Sequence, residues 1–161
     1  MSFLNWLRRK KAQPIVNDSV VLTGNEIYNR LFEICDVKPK QLWFEDVKYV
    51  MPTRDELEST VLESKISTYE YIPEIEDCGD FALLLHAYTI RKRYADYKAG
   101  KIPKDQQYPW AFGQIWYIDS INGYHAVNIC MTRDVGILLI EPQTGKTRKA
   151  EKNITVNFIR F

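Results

Sequence analysis

Cysteine and histidine are scarce in this sequence, which narrows the kinds of site that it can hold. The three cysteines, Cys35, Cys78 and Cys130, lie far apart, and their odd number argues against a disulfide framework and fits a reducing compartment. The only histidines are His86 and His125, and zinc-ligand spacing is absent. We therefore expect no structural zinc site.

An excess of one charge and long apolar runs are also absent. The 161 residues carry a formal net charge of +1, so no global field favours nucleic acid, and no phosphate-loop motif occurs. No stretch approaches the length of a transmembrane helix. The sequence therefore predicts neither a nucleic-acid partner nor a membrane span.

The N-terminal segment combines apolar and basic residues in an order unlike that of a signal peptide. Apolar side chains within residues 3–7 precede the basic run 8–11, whereas the charges of a signal peptide come before its apolar core. The predicted location is therefore the cytoplasm. Residues 1–16 are predicted to be a flexible or amphipathic segment, with residues 3–11 available to a membrane surface or a protein. Residues 17–161 are predicted to form one domain.

A helix-start signature surrounds the middle cysteine. Asp77 suits the N-cap, and Asp80 can return the capping interaction, which makes Cys78 the first helical residue. The apolar spacing and the later cations extend the helix to about Ala99. The positive end of its dipole then points at the thiol, which lowers the pKa of a cysteine, although the two aspartates oppose that shift. A cationic partner would supply much of the activation.

Two predicted hairpins supply that partner and a carboxylate. An asparagine and glycine at 122–123 signal a two-residue turn before a strand over 124–131. A second reversal, if symmetric about Arg133, sets His125 directly opposite Glu141 on one face of the sheet. The carboxylate would then orient the imidazole and leave its other nitrogen to face the thiol.

Cys78, His125 and Glu141 together predict a cysteine hydrolase, a protease or amidase acting on a peptide or other amide. His125 would deprotonate Cys78, and the thiolate would form an acyl-enzyme. The Cys78 N–H is one oxyanion donor, and the candidates for a second are Gln41, Trp43 and Gln114. The candidates for a substrate groove are Trp110, Trp116, Tyr117 and Tyr124, although packing of the sheet explains strand aromatics at least equally well.

The remaining pattern alternates helices and strands. Capping-box spacings beginning at Thr23 and Thr53 predict helices over 24–35 and after 53. A strand or extended segment is predicted over 42–50, a polar, turn-rich segment over 143–152 and a closing strand near the end. The predicted fold class is α+β, with N-terminal helices, including the cysteine-bearing helix, packed on an antiparallel sheet.

Three short segments resemble a known family. Residues 77–82 (DCGDFA), 124–128 (YHAVN) and 141–145 (EPQTG) are similar to the papain-like cysteine protease module at the C-terminus of a fungal galactose-binding agglutinin and in related bacterial and phage proteins. The resemblance covers about residues 70–146. It implies a papain-like or transglutaminase-like fold and a catalytic set at Cys78, His125 and Glu141. The lectin repeats of the agglutinin are absent, so sugar binding is not among its implications.

The same resemblance bears on metal dependence, because proteolysis in the fungal lectin depends on calcium. Gly79 stands where that module is expected to carry a carboxylate. The prediction therefore requires no cofactor. Calcium is treated as optional, with Asp77 and Asp80 as its candidate ligands. A metal-modulated site is one alternative, since several carboxylates surround the thiol: Glu74, Glu76, Asp77, Asp80 and Glu141.

Two further alternatives stay open at the level of sequence. The same order of cysteine, histidine and acid occurs in transglutaminase-like acyltransferases, which transfer the acyl group to an amine. The other alternative is a catalytically inactive papain-like domain that serves as a binding or assembly module. Taken alone, Cys78 is also compatible with a small core residue, as buried cysteines usually are.

Overall fold

A computed structural model describes residues 20–119 and 123–161 of the chain. Within these residues lie three α-helices, which are α1 (Gly24–Leu31), α2 (Arg54–Ser64) and α3 (Cys78–Lys98). The strands are β1 (Val21–Thr23), β2 (Leu42–Trp43), β3 (Lys48–Val50), β4 (Phe112–Asp119), β5 (Gly123–Thr132), β6 (Gly136–Glu141), β7 (Lys146–Lys149) and β8 (Thr155–Arg160). The predicted α+β class is confirmed.

The three helix starts follow the local signals in the sequence. Thr23, Thr53 and Asp77 are the N-caps of α1, α2 and α3, and each forms a capping box with the acid three residues later. These boxes satisfy backbone N–H groups that have no partner inside the helix. Helix α1 ends at Leu31, four residues before the predicted end, because the chain then forms tight turns, with Cys35 N–H donating to Leu31 O at 2.9 Å.

The main sheet is mixed, whereas the sequence predicted an antiparallel one. Its strand order is β2-β8-β4-β5-β6-β7, and β2 pairs in parallel with β8 while the other neighbours are antiparallel. The strand or extended segment predicted over 42–50 is divided into two short strands, because β2 joins this sheet and β3 pairs with β1 in a separate one. Between them the chain turns, with Asp46 N–H donating to Tyr49 Oη at 2.8 Å.

Both faces of the main sheet are covered by apolar packing. Alternate residues of β4 and β5 point to opposite faces, so Ile115 and Ile129 join a cluster with α1, whereas Phe112 and Cys130 pack against α2 and α3. Strand β8 lies so close to β4 that a Cβ on Gly113 would come within 2.0 Å of Arg160 O. Only glycine fits at that position.

Strand β7 is a second departure from prediction. Residues 143–152 were expected to be polar turns, but β7 forms within them and pairs with β6, setting Glu141 opposite Lys146. Its sequence, KTRK, has no apolar alternation that would mark a strand. Tertiary pairing with the apolar β6 therefore overrides the local pattern.

Two sequence predictions concern residues that are not described. The predicted N-terminal segment 1–16 lies outside the described residues, as does Asn122 of the predicted two-residue turn. Gly123 belongs to β5 and pairs with Asp119. None of the described helices is long and apolar enough to cross a membrane.

His86 makes the stability of this fold depend on pH. The side chain is buried on α3 with its ring 5.8 Å from that of Phe112, and burial, assisted by the charge of Arg160, lowers its pKa below the ordinary value of 6.5. As pH falls through 6.5 the unfolded chain binds a proton that the folded chain still excludes. The stabilisation is therefore complete above that pH and is lost below it.

We predict that His86→Gln flattens this pH dependence. Between pH 6.5 and 5 the free energy of unfolding of the wild type should fall more steeply than that of the variant, by up to about 1.4 kcal/mol per pH unit. Urea denaturation at a series of pH values measures both slopes. Equal slopes would show that His86 titrates alike in the folded and unfolded states.

Candidate functional site

Cys78 occupies the position that the sequence predicts, at the start of α3. Asp77 Oδ1 accepts hydrogen bonds from Gly79 N–H at 2.8 Å and from Asp80 N–H at 3.4 Å, while Asp77 N–H donates to Asp80 Oδ2 at 3.1 Å. A Cβ on Gly79 would lie 3.9 Å from Trp116 Nε1, which places the helix start beside β4. The Cys78 side chain is half-buried.

The other two cysteines are enclosed in the core. Burial raises the pKa of Cys35 to about 11, and it raises the pKa of Cys130 well above its ordinary value. Both thiols therefore stay protonated at neutral pH and are shielded from reagents. Among the cysteines, Cys78 alone combines partial exposure with a helix N-terminus.

His125 and Glu141 lie together, but not in the predicted register. Thr132 pairs with Gly136 and Ile129 with Leu139, so the second hairpin is shifted by two residues from the predicted pairing. A shift of two preserves the face on which every side chain points. Glu141 therefore reaches the imidazole diagonally, and His125 Nε2–H donates to Glu141 Oε2 at 2.7 Å. The predicted direct pairing of His125 with Glu141 was wrong, but the hydrogen bond between the two side chains is present.

The pair stands on the face of the sheet that carries Tyr117. Tyr117 pairs with His125 across β4 and β5, and their rings meet edge to face with centroids 6.1 Å apart. Glu141 Oε1 accepts a further bond from Gln143 N–H at 3.3 Å. The Glu141 carboxylate is thus held from two sides, which fixes its orientation at the end of β6.

Glu141 also lines a cleft of about 300 Å³, which we call the sheet cleft. Its floor contains Tyr117, Val127 and Leu139, and its rim carries the polar side chains Glu141, Thr144, Lys146, Thr147 and Arg148. Arg148 Nη2–H donates to Tyr117 Oη at 3.1 Å, and its Nη1 lies 3.4 Å from Glu151 Oε1. An apolar floor with a few converging polar groups is the usual composition of a small-ligand site.

Sequence reasoning missed most of this cleft. Lys146, Thr147 and Arg148 belong to β7, which the sequence did not predict as a strand. Tyr117 was one of the strand aromatics that the sequence offered for a substrate groove, and it lines this cleft. No local signal marks the β7 residues, because their position in the cleft depends on the pairing of β7 with β6.

The predicted second oxyanion donors occupy three different environments. The Gln41 amide donates to Val156 O at 2.7 Å, and Trp43 is an exposed residue of β2. Gln114 is buried on β4, and its Oε1 accepts no hydrogen bond from the described residues.

The aromatic residues predicted to line a groove are also dispersed. Trp110 lines a separate cleft together with the second half of α3. Trp116 packs against Phe158 with ring centroids 5.6 Å apart, and Tyr124 is largely exposed near the start of β5. Packing on the sheet accounts for Trp116, in line with the alternative explanation for strand aromatics.

Carboxylates at the helix start serve the backbone. Asp77 and Asp80, the predicted calcium ligands, each accept a backbone hydrogen bond with one carboxylate oxygen in the capping box of α3. Within residues 20–119 and 123–161, no three His, Cys, Asp or Glu side chains cluster closely enough to hold a metal ion. A role for calcium remains a prediction of the resemblance.

Comparison with known proteins places this geometry in a fold. No protein-family model and no curated protein matches the chain. Among solved structures, PSL1a in complex with E64 matches with a TM-score of 0.70 and 22% identity over 89% of this chain and 52% of that one. The Polyporus squamosus lectin bound to the human-type influenza-binding epitope Neu5Acα2-6Galβ1-4GlcNAc matches with a TM-score of 0.65 and 20% identity, covering 89% and 50%.

These matches support the predicted likeness to a fungal agglutinin and correct the predicted activity. The chain shares the fold of the matched part of both structures and spans about half the length of each. The predictions of a cysteine hydrolase, of an enzyme and of a peptide substrate are wrong by this comparison, because the neighbour whose printed name states a function is a lectin bound to a glycan. The papain-like description finds no support in it. A histidine held by a carboxylate is a common arrangement that catalysis shares with binding sites and structural contacts.

We predict that Cys78 is alkylated faster than Cys35 and Cys130, because those two thiols are buried. Iodoacetamide should modify Cys78 of the folded protein at least about tenfold faster than Cys35 or Cys130, because the buried thiols stay protonated. Mass spectrometry of peptides after timed labelling gives the three rates, and labelling in denaturant is the control. Comparable rates in the folded protein would contradict the burial described for the core.

Proposed function

We propose that this chain is a non-catalytic binding module that takes a glycan in the sheet cleft. Two kinds of observation support the proposal. The fold is shared with about half of a lectin whose solved structure is bound to a sialylated trisaccharide, and the sheet cleft offers an apolar floor beneath a polar rim. The chain spans about half of each neighbour, so the ligand class is carried over as part of the proposal.

The observation that carries the proposal is the convergence of held polar groups at the rim. Glu141 is fixed by His125 and by Gln143 N–H, and Arg148 is fixed by Tyr117 and Glu151. Polar groups that are already oriented lose less conformational freedom when a ligand binds. Such a rim suits a ligand that presents many hydroxyl groups in fixed directions.

The charges of the rim favour an acidic sugar. Arg148 and Lys146 contribute two cations, and the His125 contact engages the Glu141 carboxylate. A guanidinium binds a carboxylate through two parallel hydrogen bonds, which makes Arg148 the natural partner of a sialic acid. The floor residues Val127 and Leu139 would cover the apolar face of the ring.

The test is a binding titration with Neu5Acα2-6Galβ1-4GlcNAc, followed by calorimetry or by NMR of the backbone amides. We predict that Arg148→Gln weakens binding by about tenfold or more, because a charge-assisted hydrogen bond contributes at least about 1.5 kcal/mol. Removing the sialic acid from the glycan should have a similar effect on the wild type. Shifted amides should map to β6 and β7.

The matched control is Arg133→Gln, which removes an exposed arginine that bonds Glu56 at the opposite end of β6. This variant should bind like the wild type. Absence of binding, or equal loss in both variants, would remove the sheet cleft as a glycan site. Binding whose amide shifts map away from β6 and β7 would have the same consequence.

A further inference from the structure

The second half of α3 presents an apolar row to solvent. Ile90, Tyr94 and Tyr97 are 49%, 64% and 50% exposed, and their spacing of four and three residues sets them on one side of the helix. The opposite side is buried through residues such as Phe81 and Leu85. Helix α3 is therefore apolar on two sides, of which the sheet covers only one.

The exposed row forms one wall of a cleft of about 370 Å³. Ile102 and the segment 107–110 form the rest of its lining, including the half-buried ring of Trp110. Arg93 holds the two walls together, because its guanidinium donates to Tyr108 O at 3.0 Å and to Gln106 O. These hydrogen bonds hold the exposed row of α3 in place against the segment 106–108.

Cations surround this row. Residues 91–105 contain six lysines and arginines but only two carboxylates, although the whole chain has a net charge of +1. Helical geometry sets Arg91 and Lys98 next to the row on its solvent side. In the described part of the chain, Arg91, Lys98 and Lys104 have no ion-pair partner, whereas Lys101 lies 3.6 Å from Asp96.

We propose that this surface docks on an anionic phospholipid bilayer. The surface, called the α3 patch, consists of Ile90, Tyr94, Tyr97, Trp110, Arg91, Lys98 and Lys104. Amphipathic tyrosine and tryptophan rings favour the boundary between headgroups and acyl chains, and flanking cations are attracted to anionic headgroups. The α3 patch combines both features on one side of the molecule, and it shares no lining residue with the sheet cleft.

The test is sedimentation of the full chain with vesicles of phosphatidylcholine that contain or lack phosphatidylglycerol. We predict binding only to the anionic vesicles, with weaker binding as salt rises. Tyr94→Ser combined with Tyr97→Ser should reduce the partition coefficient by about tenfold, since both rings leave water on docking. Arg91→Gln combined with Lys98→Gln should reduce it by about thirtyfold.

The matched control is Tyr69→Ser combined with Tyr71→Ser, two loop tyrosines that are exposed to a similar extent. This control should bind like the wild type. Failure of the wild type to bind, or equal binding to neutral vesicles, would overturn the proposal. It would also be overturned if the Tyr94 and Tyr97 variant bound normally while heparin displaced the protein, because the cations would then be a general polyanion site.

Discussion

The packing of α3 against the centre of the main sheet is the constraint on which the rest of the structure depends. The buried amide of Asn128 on β5 donates to Ala82 O of the helix at 2.8 Å and to Gly113 O of β4 at 3.1 Å. A buried amide that lost these acceptors would be costly, so the contact fixes both the rotation and the depth of the helix. Because α3 occupies one face of the sheet, its start lies beside Trp116 and its second half projects the α3 patch.

The arrangement also explains why an apparent catalytic signature is compatible with a binding module. The His125 and Glu141 contact stabilises the end of β6 and orients a carboxylate at the rim of the sheet cleft, a role that requires no reaction. The capping box at Cys78 likewise satisfies helix N–H groups whether or not the thiol reacts. Each local feature therefore has a structural use that requires no reaction.

How much the sequence could predict depended on how local each interaction is. The capping boxes of all three helices were predictable, because each involves residues three apart. Glu141 met His125 although the pairing was misjudged, since a two-residue shift conserves the face of the sheet. The sequence could not predict the parallel pairing of β2 with β8, because it depends on residues far apart in the chain. The same holds for β7, whose polar sequence forms a strand only by pairing with β6. The same holds for the sheet cleft, which exists only after β7 has joined β6.

The most direct test of binding without catalysis is a search for peptide cleavage that depends on Cys78. The purified chain and its Cys78→Ala variant would be incubated with a diverse peptide library under reducing conditions, with and without calcium, and the products compared by mass spectrometry. The account predicts the same product pattern for both proteins. Peptides cleaved by the wild type and left intact by Cys78→Ala would contradict it and restore a catalytic role for the thiol.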